Sequence, residues 1–348
     1  MLRKLLMTFI SGCLAVGIAL AVLFWMHNAA LEQPLQLEGE QVLNVPAGST
    51  PNGLLLQLEQ QGVLRGAFWL RAGWRLKGHV QGLHKGEYQL TPNMNVAQLL
   101  EKWRAGDVLQ YRLTLVEGWN FRQVREALTQ QDKLEQTLSE LSDQEVMGLL
   151  QQADVHPEGQ FFPDTYNYVR GQSDLDILRQ ANQRLQKVLA EEWAARAEDL
   201  PYQSPEEALI MASIIEKETG VPHERDEIAG VFVRRLNIGM LLQTDPTVIY
   251  GMGERYTGRI TRADLRRPTP YNTYVIAGLP PTPIAMVGRE AIHAALHPKP
   301  GKSLYFVARG DGSHEFSNSL REHNRAVRKY QLQRRSDYRS SPAPQSAQ

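Results

Sequence analysis

A single cysteine, Cys13, is the only thiol in this 348-residue chain, and it lies inside the first apolar segment. The rest of the chain therefore offers no disulfide, no cysteine nucleophile and no Cys-based zinc site. Net charge is missing as well: Lys plus Arg and Asp plus Glu both number 38, and the basic residues form no block. No overall field draws the molecule toward nucleic acid, and no nucleic-acid partner is expected. A G-x-S-x-G elbow and a phosphate-cradling P-loop are both absent, which excludes the commonest serine-hydrolase and nucleotide-binding layouts.

Charge is also absent from Leu5 to Met26. At about 1.5 Å of rise per residue, this apolar run is long enough to cross a hydrocarbon core of about 30 Å. Arg3 and Lys4 precede it; Glu32, Glu38 and Glu40 follow it, with no Lys or Arg until Arg65. The positive-inside bias predicts residues 1–4 in the cytoplasm, a transmembrane helix over 5–26, and everything after His27 outside the inner membrane. The run ends in Phe24-Trp25-Met26, which suits an interfacial anchor better than a cleavage site. Ile10-Ser11-Gly12-Cys13 looks like a lipoprotein box, but cleavage there would leave Leu14 to Met26 as another apolar stretch. An uncleaved anchor is the expected state.

Beyond the anchor the pattern is α+β. Residues 27–40 read as a polar, irregular stalk. A short strand at Leu43 to Val45, a turn at Pro46-Ala47-Gly48, a helix carrying Leu54, Leu55 and Leu58, a strand at Tyr88 to Leu90 and a helix from Val96 to Trp103 ended by Gly106 follow. They make one small α/β subdomain over 41–108. In the connecting region, 109–202, Leu109, Tyr111, Leu113 and Leu115 alternate with polar residues as a half-buried strand does. Leu43-x-Val-x-x-Gly48 before a helix reappears as Leu113-x-Leu-x-x-Gly118 before a helix, two uses of one strand–glycine–helix plan. Leu178, Ala181, Leu185, Val188 and Leu189 stripe an amphipathic helix from Leu175 to Trp193. Residues 203–331 are denser in turns and aromatics and hold the chemistry; 332–348, rich in Arg, Ser, Pro and Gln, read as a disordered tail.

The sharpest local signal runs from Ser204 to Gly220. Ser204 suits an N-cap, Pro205 the first helical position and Glu207 a capping box; Gly220 is placed to end the helix. Met211, Ile214, Ile215 and Glu218 then share one face, with Glu216 roughly 200° away around the helix. Burial at the end of an apolar stripe and the negative end of the helix dipole both favour a protonated Glu218, as a general acid needs. Three loops add aromatics beside amides and carboxylates: Glu158 to Tyr166, Leu242 to Gly251 and Pro270 to Tyr274. Flat rings cover sugar faces and amides pair with hydroxyls, so these are groups a carbohydrate cleft uses. Taken singly, each also reads as a structured loop around a buried tyrosine. His293 and His297 stand four apart, with Glu290, His314 and His323 near in sequence, but a zincin needs Glu directly after the first His and Ala294 is there instead. No metal is expected.

In order, the anchor, Glu158-Gly-x-x-Phe-Pro-Asp-Thr-Tyr166, Ser213-Ile-Ile-Glu-Lys-Glu218, Gln243-Thr-Asp-Pro-Thr-x-x-Tyr-Gly251, Tyr271-Asn-Thr-Tyr274, Gly278-Leu-Pro-Pro281, Leu304-Tyr-Phe-Val307 and His314-x-Phe316 with Glu322-His-Asn324 resemble the YceG-like family of membrane-bound endolytic murein transglycosylases. The resemblance covers nearly the whole chain except the tail. It implies a LysM-like identity for the small subdomain, a catalytic domain over 203–331, and Glu218 as catalytic acid and base. Glu158, Phe162, Tyr166, Gln243, Thr244, Asp245, Tyr250, Tyr271, Asn272 and Tyr274 are the expected glycan-binding set. It further implies cleavage between N-acetylmuramic acid and N-acetylglucosamine with 1,6-anhydro ends, no cofactor, peptidoglycan strands as substrate, and peptidoglycan synthases as neighbours at the membrane. A hydrolytic muramidase, with Asp245 or Glu216 activating water, and a non-catalytic glycan-binding scaffold are the alternatives. Two departures stand out: the family's Pro-Pro-Gly-x-Ile reads Pro280-Pro281-Thr282-Pro283-Ile284, and its Asn/Thr-Pro-Gly reads Met286-Val287-Gly288.

Overall fold

The computed structural model describes residues 2–76 and 83–332; the expected tail, from residue 333 on, lies outside the described residues, as do six residues of the small subdomain. The chain divides into two compact units, the first Met1–Tyr111 with Lys133–Glu135 and Asn167–Gln172, the second the remainder. The architecture is mixed α+β.

The first unit opens with α1 (Leu2–Glu32). Its stretch Leu6–Glu32 is long and apolar enough to cross a membrane; the most apolar 18-residue window in it has a mean hydropathy of 2.4, and none of that window is buried. Of the stalk expected over 27–40, residues 33–40 are irregular, whereas 27–32 extend α1. The helix continues to Glu32, and Ala30 and Leu35 are buried in the unit's core because a polar-looking run still supplies apolar residues at the right register. Then come β1 (Gln41–Val45), α2 (Pro51–Gln60), α3 (Ala67–Leu76), β2 (Gly86–Leu90) and α4 (Val96–Ala105). β1 and β2 pair antiparallel, Gln41 opposite Leu90 and Val45 opposite Gly86. Leu43 and Val45 alternate inward onto Leu55, Leu58, Tyr88, Leu99 and Trp103. A capping box at Asn95 and Gln98 starts α4, and Gly106 at φ 65° ends it, as expected.

Next are β3 (Tyr111–Thr114), α5 (Phe121–Thr129), α6 (Asp143–Leu149) and β4 (Thr165–Tyr168), β3 pairing with β4. Gly48 at φ 80° and Gly118 at φ 77° make the same left-handed turn between strand and helix, so the repeated plan is real at the level of backbone geometry.

The second unit continues with α7 (Asp174–Ala194), α8 (Pro205–Glu218), α9 (Arg225–Asn237), α10 (Asp245–Met252), α11 (Arg262–Arg266), α12 (Arg289–Leu296), the hairpin β5 (Tyr305–Ala308) and β6 (His314–Ser317), and α13 (Leu320–Val327). α8 is its axis. Every residue from Ala208 to Ile215 is buried, so this helix is enclosed on all faces rather than amphipathic, with α7, α9, α10 and α12 packed around it. The hydroxyl of Ser213, fully buried, donates to Ile210 O at 2.7 Å and accepts from Ile284 N at 3.0 Å, pinning the loop before α12 to the axis. The same loop is fastened by Met286 N to Trp119 O at 2.6 Å and Gly118 N to Met286 O at 2.9 Å. Gly159 packs against it at φ 76°, where an added Cβ would sit 2.4 Å from Pro283 Cβ. Gly159→Ala must therefore cost about 2–4 kcal/mol through strain and overlap; a urea unfolding midpoint equal to the parent's would refute this packing.

Candidate active site

The C-terminal turn of α8 leaves the core with two carboxylates. The expected cap is real in part: Ser204 accepts from Glu207 N, but the Glu207 carboxylate turns back to Gln203 N at 2.6 Å rather than to Ser204. Gly220 does not end the helix by a left-handed turn. Thr219 does so by turning extended, at φ −140° and ψ 133°, with its hydroxyl accepting from Val221 N at 2.9 Å.

Glu218, half-buried, accepts a hydrogen bond from the Thr244 hydroxyl. Burial pushes its carboxyl up to about 7; the charge of Asp245 adds to that, and the Thr244 hydroxyl and the Arg235 guanidinium oppose it. Thr244 is held rigidly. Its N–H donates to Thr273 Oγ1 at 3.1 Å, and Thr273 Oγ1 lies 2.8 Å from Thr247 Oγ1. Gln243, one residue earlier, is a non-glycine at φ 50°, a strained conformation of the kind that concentrates at functional sites. Asp245 is exposed and accepts from the Tyr274 hydroxyl at 2.7 Å. Arg235 is 6% exposed and donates to Leu304 O at 2.7 Å and Leu242 O at 2.6 Å. Its burial is legible in the sequence pattern, since with Ile228, Val231 and Phe232 it shares the apolar face of α9, all of them buried. The arrangement combines a carboxyl poised near neutrality with a hydroxyl donor and a buried cation that favour its ionised form. That is what a group acting first as acid and then as base requires.

Glu216 is equally perturbed and sits elsewhere. It accepts from Gly288 N at 3.2 Å and lies 3.8 Å from Arg225. Burial and the neighbouring Glu117 charge raise it to about 7 against the pull of Arg225. Its carboxylate completes a helix junction.

The remaining expected residues fall into three groups. Glu158, Tyr250 and Tyr271 come together: the buried Glu158 accepts from Phe121 N at 3.0 Å and from Tyr250, and burial pushes it up to about 7. The Tyr250 and Tyr271 rings meet edge to face at 4.8 Å. Thr282, one of the two departures, inserts its hydroxyl here, 2.8 Å from the Tyr271 hydroxyl. Phe162 and Tyr166 do not join the site. Phe162 is packed in the core and Tyr166 donates to Phe162 O at 2.7 Å, so an expectation of sugar contact does not hold for these buried rings. Asn272 is 1% exposed and is spent on its own loop, donating to the carbonyls of Asp264, Leu265 and Arg267 while accepting from Tyr274 N. It shapes the loop that presents Tyr274 and has no free face for a glycan.

The sequence profile of the YceG-like family matches residues 43–329. An endolytic murein transglycosylase of Bacillus subtilis is 30% identical over 325 residues, 88% of this chain and 89% of that protein. One of Streptococcus pneumoniae is 25% identical over 319 residues, 82% of this chain, which spans 57% of that longer protein. The crystal structure of a YceG-like protein from Listeria monocytogenes superposes with a TM-score of 0.53 at 30% identity, covering 82% of this chain and 98% of that one.

Proposed function

The chain belongs to the YceG-like family, and from that membership we propose that it is an endolytic murein transglycosylase whose acid and base is Glu218. The observation that carries the residue assignment is the position of this carboxyl, at the edge of the core, raised to about 7 and facing Thr244 and Arg235. In the reaction, protonated Glu218 donates to the glycosidic oxygen between N-acetylmuramic acid and N-acetylglucosamine, and an oxocarbenium-like muramyl species forms. The Glu218 carboxylate then takes the proton of the C6 hydroxyl as that oxygen closes on C1, giving a 1,6-anhydro end. One group serves both steps and no water is consumed, so the paired carboxylates of hydrolytic glycosidases are not required. Thr244 and Arg235 stabilise the carboxylate between the two steps. Gln243, Asp245 and Tyr274 are the expected groups left to touch the strand, with the half-buried Tyr250 and Tyr271 beside them.

In the same reading α1 anchors the protein in the inner membrane with its N-terminus in the cytoplasm and the catalytic unit in the periplasm. The strand–helix–helix–strand order over 41–108 is a LysM-like glycan-holding module, and nascent strands beside peptidoglycan synthases are the substrate. Because Ala30 at the end of α1 and Leu35 just after it are buried in the core of the first unit, that unit is kept at the membrane face.

Full-length protein in detergent, incubated with peptidoglycan strands and analysed by mass spectrometry, should leave anhydro-muramic ends. Reducing ends would mean a hydrolase and direct attention to Asp245. Bound but uncut strands would mean a scaffold.

A further inference from the structure

We propose that Glu192, His293 and His297 form a binding site for a divalent cation of the zinc class, separate from Glu218 and its partners. Glu192 comes from the last turn of α7 and is buried; His293 and His297 come from α12 and its C-cap, four residues apart. One ligand atom from each of the three lies within 4.8 Å of the others. The two imidazoles are stacked, with centroids 4.3 Å apart and planes at 27°. Glu192 Oε2 is 2.9 Å from His293 Nδ1, and the other carboxylate oxygen is held by Arg289 Nη1 at 2.7 Å. That second contact fixes the carboxylate with one oxygen aimed at the histidines, the kind of outer support that metal-binding carboxylates receive. Arg289 is itself shared with Glu191, so its charge is matched without drawing on the oxygen left for a metal.

A second observation points the same way. His297 Nε2 is buried and has no hydrogen-bond partner among the described residues, an expensive condition for an imidazole nitrogen unless something binds it. A surface cavity of about 510 Å³, lined by Glu192, His223, Asp226, Glu290 and His293 among others, gives access and room for a water as fourth ligand. Two imidazoles and one carboxylate select zinc or its transition-metal neighbours over magnesium and calcium, which want oxygen alone. His293 is exposed, so it can exchange its contact with Glu192 Oε2 for the ion. With Ala294 where a zincin has its general base, the site does not have the zincin layout. It joins α7 to α12, and α12 packs along α8, so the ion braces the helices that hold the axis.

The test uses the untagged full-length chain in detergent, stripped with a chelator that is then removed. ZnCl2 titrated against a chromophoric competitor should bind at one equivalent, and zinc should raise the unfolding temperature by a few degrees where MgCl2 and CaCl2 do not. His293→Ala, at an exposed position that the fold tolerates, and Glu192→Gln should each weaken zinc binding at least ~10-fold, with circular dichroism confirming that both variants are folded. Absence of a saturable equivalent, unchanged affinity in both variants, or an equal thermal shift with CaCl2 would each overturn the site. None of these readouts involves glycan cleavage, so their failure leaves the transglycosylase reading untouched.

Discussion

Glu218→Gln is expected to lower strand cleavage by at least ~10³-fold at every pH while making the protein more stable at pH 8. Glutamine keeps the shape and can still accept from Thr244, but it carries no proton to give or regain. The stability change follows from the pKa. Folding raises this carboxyl from 4.5 to about 7, so the folded protein holds the proton more tightly than the unfolded chain does. The cost of ionising it is absent below pH 4.5, grows between 4.5 and 7, and is complete above 7. That gap sets a ceiling of about 3 kcal/mol, which solvent reaching a half-buried group cuts to roughly 1–2 kcal/mol. Thermal unfolding of the variant should match the parent at pH 4 and exceed it at pH 8, and parent activity should fall as the pH rises through about 7.

Glu216→Gln provides the contrast, since Glu216 is also raised to about 7. It should show the same pH-dependent gain in stability with cleavage retained within ~10-fold, because its carboxylate faces Arg225 and Gly288 N rather than the Thr244 loop. Activity surviving in Glu218→Gln and lost in Glu216→Gln would transfer the catalytic role. The pairing separates what a perturbed pKa says about burial from what position says about chemistry.

Local signals in the sequence were reliable where one turn or one helix decides the outcome. Ser204, Pro205 and the spacing to Glu218 define α8 nearly to the residue, and Gly106 ends α4 as its position suggests. Failures arise where the deciding partner is distant. Asn272 beside two tyrosines looks like a sugar-binding amide until the carbonyls it closes on are known. Glu192 lies 101 positions from the histidine it meets, whereas His314, close in sequence, is engaged with the buried Glu224. Residues 27–40 look like a stalk because polar residues outnumber apolar ones, yet Ala30 and Leu35 are enough to hold them in a core. Glu216 and Glu218 are two residues apart in one motif, and only the packing of α10 and α12 on either side of α8 gives them different neighbours.

Arg235→Met should damage both stability and chemistry, by different routes. The guanidinium is buried, with its pKa lowered by desolvation, and is kept charged by what surrounds it. Its Nε and Nη1 close the carbonyls of Leu304 and Leu242, and its plane lies over Tyr305 at 5.3 Å. Methionine fills the volume but leaves those carbonyls without donors, a loss of about 3–5 kcal/mol in an otherwise intact core. At the reacting centre, the cation is one of the two groups that favour the Glu218 carboxylate. Its removal should drive the Glu218 pKa further up, making the protonated carboxyl a weaker donor to the glycosidic oxygen, lowering kcat ~10–100-fold with a smaller change in KM and moving the alkaline limb to higher pH. Arg235→Lys separates the routes: the charge remains, so the alkaline limb of the pH profile should stay near the parent's, while the fork that joins two carbonyls is lost and the unfolding midpoint falls. If Arg235→Met and Arg235→Lys lose stability alike and neither moves the pH limb, Arg235 is a strut for the β5 and α10 junctions and has no part in setting the proton affinity of Glu218.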